Sequence, residues 1–299
     1  MKLVVTGGRG FIGSHFVEEA LALGHEIIDI DKMTYAANIN LPWDNHKNYT
    51  LIKKDICEIT HLPVCDVIVN FAAESHVDNS ITSDKVFLES NVIGVYNILN
   101  LLRGKVYERP LFVHVSTDEV YGDHEIKTFT EEDRLNPSNP YSSTKAAAEM
   151  LVLANARTYG IDYLISRSSN NYGERQYEEK LIPRCIHSIK NNVKMPVHGD
   201  GSYIRDWIYV KDNVNGILRM IESGIRNEIF NISANNKMTN VDVIKTVFSW
   251  YNKEMNENTV KYVENRLGQD VRYSIDNSKA LNMLNWKPLH NNGLYKFVK

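Results

Sequence analysis

Cysteine is scarce in this chain, with 3 among 299 residues. Cys57, Cys65 and Cys185 are odd in number and form no CxxC spacing, so neither a disulfide framework nor a zinc site is indicated and a reducing compartment fits best. An excess of charge is lacking as well: the net charge is -3, and no block of like charges gives a nucleic-acid footprint or an interaction tail. Long apolar runs are missing, since none approaches the length of about 20 residues that spans a bilayer. Met1 leads directly into an apolar strand without the charged and apolar regions of a secretory signal. A cytoplasmic protein with no membrane or nucleic-acid partner is therefore expected. Repeats and low-complexity segments are absent too. What is present, 43% hydrophobic and 24% charged residues, describes an ordinary globular chain with a sizeable core in one large domain or two.

Lys2 to Thr6 reads as a strand and runs at once into Gly7-Gly8-Arg9-Gly10-Phe11-Ile12-Gly13 and an apolar-periodic helix from Ser14 to about Leu23. Strand, glycine loop and helix in this order make a dinucleotide-binding turn: the glycines allow the turn and close approach of pyrophosphate, and the helix amino end favours its charge. A glycine triplet alone is weak evidence. Here Glu26 to Asp31 follows as a second strand with an acidic last residue, about 20 residues past the loop, where it can accept from a ribose 2′-hydroxyl. A carboxylate there repels a 2′-phosphate, which favours NAD over NADP, with Arg9 as the one reservation. Asp55, after the strand Tyr49 to Lys53, either reaches the adenine or is a turn residue. Asp66 to Ala72 is a fourth strand, and small Ala72 and Ala73 would let a cofactor lie close. Glu74, His76 and Asp78 alternate in a loop, where side chains rarely converge, so no metal is expected. Ser83 to Arg103 has helical spacing and carries Asn91, whose default reading is contact with solvent.

Leu111 to Val115 is a short, apolar, β-branched run ending at Ser116-Thr117-Asp118-Glu119-Val120-Tyr121-Gly122, which places a polar cluster at a strand's carboxyl end, where open α/β sheets bind ligands. After Pro140, a helix to about Thr158 carries Tyr141 and Lys145 on one face. A tyrosine with a solution pKa of about 10 is a poor base, but an ammonium one turn away favours its phenolate. Asp118 and Glu119 are two acids on one loop, and proximity tends to leave one protonated and one ionised. Each pair alone is also ordinary surface chemistry; the glycine turn upstream gives them weight. Tyr163 to Ser168 is a further strand with Asn170 and Asn171 beyond its end. The later chain is more irregular, with a helix over 180–191, a Gly-rich stretch over 196–203, a helix to about Gly224 and a strand over 229–232. Arg205 and Arg266 are candidate diphosphate clamps, since guanidinium forks suit phosphate oxygens.

With the Ala72 to Asp78 and Ser169 to Gly173 runs, Glu179-Lys180-Leu181-Ile182-Pro183 and Ile204-Arg205-Asp206-Trp207, these motifs resemble, over nearly the whole chain, the extended short-chain dehydrogenase/reductase family, specifically its nucleotide-sugar dehydratases of the dTDP-glucose 4,6-dehydratase type. Thr117-Asp118-Glu119 discriminates: related epimerases lack the acidic pair, and GDP-mannose dehydratases typically carry Ser where Asp118 stands. The resemblance implies an α/β Rossmann-type doubly wound parallel sheet with a smaller discontinuous domain. The NAD-binding part would span 1–173 with 210–238 and 286–299, and the nucleotide-sugar part 174–209 with 239–285.

The same resemblance implies that Tyr141, aided by Lys145 and Thr117, oxidises the sugar at C4, that Glu119 removes the C5 proton, and that Asp118 protonates the departing C6 hydroxyl. The product would be a 4-keto-6-deoxy sugar for deoxysugar biosynthesis, made with tightly bound NAD that is regenerated each turnover. Beyond the glycine turn and Asp31, it implies cofactor contacts from Lys32, Thr34, Asp55, Ile56 and Phe71. Ala72, Ala73, Ser75, Ser90 and Asn171 would join them, as would the Tyr141 and Lys145 pair. The nucleotide sugar would lie against Ser75, Thr117, Asn170, Lys180 and Leu181, then Pro196, Val197 and His198, then Arg205, Asn240 and Arg266. The chain departs from the family pattern at Asn265-Arg266-Leu267-Gly268-Gln269-Asp270, at His198, and in lacking the full final helix, so weaker selectivity between dTDP and UDP is expected. A homodimer through the helices 83–103 and 141–158 is implied. The rivals are a UDP-glucose 4,6-dehydratase, an epimerase or decarboxylase of the same fold, and a non-catalytic NAD-binding regulator.

Overall fold

The computed structural model describes residues 1–105, 109–265, 268 and 270–298. Short β-branched runs form the strands β1 Lys2–Thr6, β2 Glu26–Asp31, β3 Tyr49–Lys53, β4 Val67–Asn70, β5 Leu111–Thr117, β6 Tyr163–Ser168 and β10 Glu228–Ile232. Together they make one parallel sheet in the order β10-β6-β5-β4-β1-β2-β3. The sequence reading of these strands holds to within a residue or two; the fourth is shorter than 66–72. Adjacent strands are in close register, with Val4 opposite Ile28 on one side and Ile68 on the other. β5 is buried at every position, as expected of a central strand covered on both faces.

The helices are α1 Phe11–Ala22, α2 Val77–Thr82, α3 Lys85–Phe87, α4 Gly94–Arg103, α5 Pro140–Tyr159, α6 Leu181–Asn191, α7 Val210–Glu222, α8 Asn240–Trp250 and α9 Ser278–Met283. α1 and α7 bury Phe16, Val17, Val214 and Ile217 on one face of the sheet. On the other face α4 and α5 bury Ile98, Leu102, Ala148 and Val152. α5 starts where its capping dictates: the Asn139 side chain accepts from Ser142 N, the Ser142 side chain returns the bond, and Pro140 holds the first turn. The single helix expected over 83–103 is instead broken. α3 passes through a π-helical turn, Leu88–Ile93, into α4, and such turns cluster at functional sites.

The remaining strands are β7 Asn170–Tyr172, β8 Met195–His198, β9 Ile204–Tyr209, β11 Lys237–Thr239 and β12 Val260–Val263. They form two small sheets, β11-β9-β7 and β12-β8. The chain leaves the large sheet at Ser168 and enters the small one two residues later, which sets β7 at the carboxyl edge of β6. Past α9 no further helix occurs among the described residues. The final stretch turns back instead, and Tyr295 N donates to the Tyr172 hydroxyl at 2.8 Å. No helix of the described residues is long and apolar enough to cross a membrane.

Candidate active site

The turn after β1 is built for close approach. Gly7 has φ of 74°, in the left-handed region that favours glycine, and a Cβ there would stand 2.6 Å from the backbone nitrogen of Ala72. A Cβ on Gly13 would collide with the Gly7 carbonyl oxygen, so α1 lies hard against the strand end. Gly10 begins α1 without any side-chain cap, and Gly10, Phe11 and Ile12 line a cavity of about 230 Å³. An uncapped helix amino end facing a cavity is a seat for an anion. Asp31 lines the same cavity and is fixed by Arg9 N at 2.9 Å and Met33 N at 2.7 Å. Its carboxylate keeps lone pairs for a sugar hydroxyl. The Arg9 side chain turns away, paired with Asp44 at 2.7 Å and donating to the Tyr49 hydroxyl at 2.9 Å, so its charge does not serve a 2′-phosphate. Lys32 is held by Ser90 Oγ at 2.8 Å and lies 3.7 Å from Asp55 and 3.6 Å from Glu74. These residues fit NAD. Every residue expected at the cofactor lines this cavity except Asn171, which lines a second one.

At the carboxyl end of β5, Tyr141 and Lys145 line the cofactor cavity. Their helix is pinned from below, because Glu149 accepts from Ser116 Oγ at 2.5 Å and pairs with Arg167 at 2.7 Å, all buried. Lys145 donates to the Val115 carbonyl at 2.7 Å, and burial lowers its pKa to about 8. The expected lowering of Tyr141 by Lys145 does not dominate. Burial, with Glu119 and Asp118 nearby, pushes the Tyr141 phenol above its ordinary value, while a hydrogen bond with Thr117 acts in the opposite direction. Asp118 is buried, and desolvation followed by the charges of Glu119 and Asp206 holds its carboxyl well above the usual range. Glu119 is less buried and faces the second cavity. Thr117 and Asp118 line neither cavity; they stand between Ser116 on the first and Glu119 on the second. Thr117 Oγ1 donates to Asp118 Oδ1 at 3.3 Å.

The second cavity, about 190 Å³, gathers Asn170, Leu181, Pro196, Val197, His198 and Asn240 from β7, α6, β8 and α8. Ser75, Gln176, Glu179 and Lys180 line both cavities, and Lys180 donates to the Ser75 carbonyl at 2.8 Å across the join. Arg205 also lines the second cavity, but its guanidinium already donates to the carbonyls of Ile204 and Asp270, each at 2.8 Å, and stacks 4.4 Å over the Tyr273 ring. Arg266 lies outside the described residues, as do Leu267 and Gln269. Asn91 corrects its solvent reading: it is buried, its side chain bonds both N and O of Glu74 at 2.8 and 3.0 Å, and it donates to Thr144 at 2.9 Å. It thereby fastens the loop after β4 to α5. Residues missed in the sequence are Tyr35, Gln176 and Tyr177 on the first cavity and Tyr273, whose hydroxyl lies 3.4 Å from Glu119 Oε2. Only Tyr35, next to Thr34, carried a local signal.

Comparison with known proteins gives the family. The family model described as GDP-mannose 4,6 dehydratase matches residues 4–292. The dTDP-glucose 4,6-dehydratase of Escherichia coli is 37% identical, covering 96% of this chain and 89% of the relative. That of Haemophilus influenzae is 38% identical, covering 96% and 93%. A crystal structure of dTDP-glucose 4,6-dehydratase from Streptomyces venezuelae, with NAD bound, is similar at a TM-score of 0.92 and 38% identity, covering 96% of this chain and 92% of that one. From its glycine turn to the wall of its second cavity, the chain belongs to the GDP-mannose 4,6 dehydratase family.

Proposed function

We propose that this protein is an NAD-dependent dTDP-glucose 4,6-dehydratase, converting dTDP-glucose to dTDP-4-keto-6-deoxyglucose with loss of water. The observation that carries the reading is the split between the neighbouring acids: Asp118 is buried, and desolvation with the charge of Glu119 raises its carboxyl well above the usual range, which favours the acid form, while Glu119 reaches the second cavity. Eliminating water across C5 and C6 is served by one acid and one base in that relation, and the GDP-mannose dehydratase pattern differs in carrying Ser in place of Asp118. NAD in the first cavity would supply the redox chemistry, accepting hydride from C4 and returning it to C6, so that it is regenerated each turnover.

The protein's own part is positioning and proton movement. Tyr141 takes the proton of the C4 hydroxyl as its phenolate, which burial and Glu119 disfavour and the positive charge of bound NAD would favour, and Lys145 is held by the Val115 carbonyl. The new ketone acidifies C5, Glu119 removes that proton, and Asp118 gives its proton to the C6 oxygen as it leaves as water. C5 is then reprotonated. Two protons are taken up, by Tyr141 and Glu119, and two are given out, to water and to C5. Thr117 touches both Tyr141 and Asp118, the groups left with a proton too many and one too few.

The nucleotide would lie against Asn170, Lys180, Leu181 and the β8 residues, with Arg205 facing the diphosphate. The NAD part, 1–173 with 210–238 and 286–299, contains the large sheet, and the sugar-nucleotide part, 174–209 with 239–285, contains most of the two small ones. A homodimer through the helical stretches 83–103 and 141–158 fits the apolar Ile93, Tyr96 and Met150, each 44 to 51% exposed there. Three unpaired cysteines suit a reducing cytoplasm.

The test is to supply the purified protein with dTDP-glucose or UDP-glucose, without added NAD, and to look for a 4-keto-6-deoxy sugar. Protein that contains cofactor yet dehydrates neither sugar would rule the reading out.

A further inference from the structure

Between taking the C5 proton and returning it, Glu119 can exchange that proton through a neighbouring group. Its cavity side would be covered by the sugar. On the other side, Oε2 meets Asn139 Nδ2 at 3.4 Å and the Tyr273 hydroxyl at 3.4 Å. The amide nitrogen of Asn139 is a donor and takes no proton, whereas a phenol can accept one while releasing another.

Tyr273 is 4% exposed, and burial together with Glu119 and Asp270 keeps its phenol protonated. Its hydroxyl is also hydrogen-bonded to Asp270 Oδ2. Ser138, on the exposed rim, donates to the same Asp270 oxygen at 2.6 Å. The Arg205 guanidinium fixes the group, stacked over the Tyr273 ring and donating to the Asp270 carbonyl. A phenol has one proton, so Tyr273 cannot donate to both carboxylates at once. While both acids are ionised, one of the two contacts of the Tyr273 hydroxyl, to Glu119 or to Asp270, lacks a proton. It gains one when Glu119 has taken the hydrogen from C5.

We infer that Tyr273 is a proton relay between Glu119 and Asp270, opening the catalytic base to solvent at Ser138 during each turnover. The protonated Glu119 donates to the Tyr273 oxygen, Tyr273 passes its own proton to the Asp270 carboxylate, and Asp270 exchanges with water by way of the Ser138 hydroxyl. No electrons move, and the reverse sequence reloads Glu119 with a solvent proton for C5. The inference rests on the dehydratase reading and adds to it the route by which the proton at C5 is exchanged.

The experiment is a single turnover of dTDP-glucose in D₂O by the wild type, Tyr273→Phe and Asp270→Asn, with deuterium at C5 of the product read by mass spectrometry and NMR. The wild type is expected to carry solvent deuterium at C5. Both variants should instead return the original hydrogen, losing most of the solvent label at C5 even where the rate of product formation is only partly reduced. A merely structural role would slow the reaction without changing the origin of this hydrogen. Wild-type labelling in either variant, or an unlabelled C5 from the wild type, overturns the relay. Should Tyr273→Phe fail to fold, Asp270→Asn, which keeps the size and an acceptor oxygen but cannot take the proton, decides by the same criterion. No dehydrated product from the wild type would sink the assigned activity, and the relay with it.

Discussion

The two cavities are built in different ways. The first begins at a glycine turn packed backbone against backbone, goes on through the start of α1 and the ends of β1, β2 and β4, and takes Tyr141, Lys145 and Lys180 from farther along the chain. The second is bounded by residues from β7, α6, β8, β9 and α8 with the loop after β4 and Glu119, brought together from segments as far apart as Ser75 and Ile244. A wall of backbone tolerates almost no added atoms, whereas a wall of side chains can change its occupant by substitution. The reaction takes place where the two meet.

The sharpest way to test this contrast is at the junction itself. Glu119→Gln should lower the rate of dehydration by about 10²- to 10⁴-fold while oxidation at C4 persists, so that reduced cofactor accumulates in stopped-flow absorbance. Elimination at the normal rate would place the base elsewhere. Asp118→Asn should slow loss of water too, but less for a substrate with a better leaving group at C6.

Next in size is Gly13→Ala. An added methyl would meet the Gly7 carbonyl, and overpacking of about 1 to 3 kcal/mol corresponds to roughly 5- to 150-fold weaker NAD binding, read as the cofactor content of the purified protein. Undiminished NAD in this variant would break the picture of a main-chain cradle. Arg205→Lys tests the other wall. Lys cannot reproduce the fork held by the Ile204 and Asp270 carbonyls, so a rise in KM of about tenfold is expected with NAD content unchanged. Loss of NAD here would show that the two walls are not separable.

The smallest effect lies on the seam. His15, on α1, is buried and bonds the Glu174 carbonyl at 2.9 Å. Burial, aided by Arg175, lowers its pKa from 6.5 to about 4. The unfolded chain therefore binds the proton more readily, so this contribution is present above pH 6.5 and lost as pH falls toward about 4. Its upper limit is on the order of 3 kcal/mol. The melting temperature of the wild type should fall across that window more steeply than that of His15→Gln; equal slopes would remove His15 from the account.

The first cavity was largely legible in the sequence because each of its parts is local: four glycines within seven residues, an acid at a strand end, a Tyr and Lys one helical turn apart. Strand periodicity gave the large sheet for the same reason. What escaped depended on distance along the chain. Asn91 looked solvated because nothing nearby in sequence announced that a π turn would aim it at the Glu74 backbone. For Tyr141 the spacing shows only Lys145, one helical turn on, whereas the burial that outweighs it leaves no local sign. Tyr273 and Glu119 are separated by 154 residues, too far for any spacing rule.

The cavities also share a partition: Ser75, Gln176, Glu179 and Lys180 line both. A common partition makes two tenants answerable to each other, because any ordering of it by one occupant is ordering the other need not repeat. By thermodynamic reciprocity the coupling has a single value. However much a nucleotide sugar tightens the grip on NAD through those four residues, NAD must tighten the grip on the nucleotide sugar by the same factor. A protein stripped of its cofactor would then be a poorer receptor for its substrate as well as an idle catalyst.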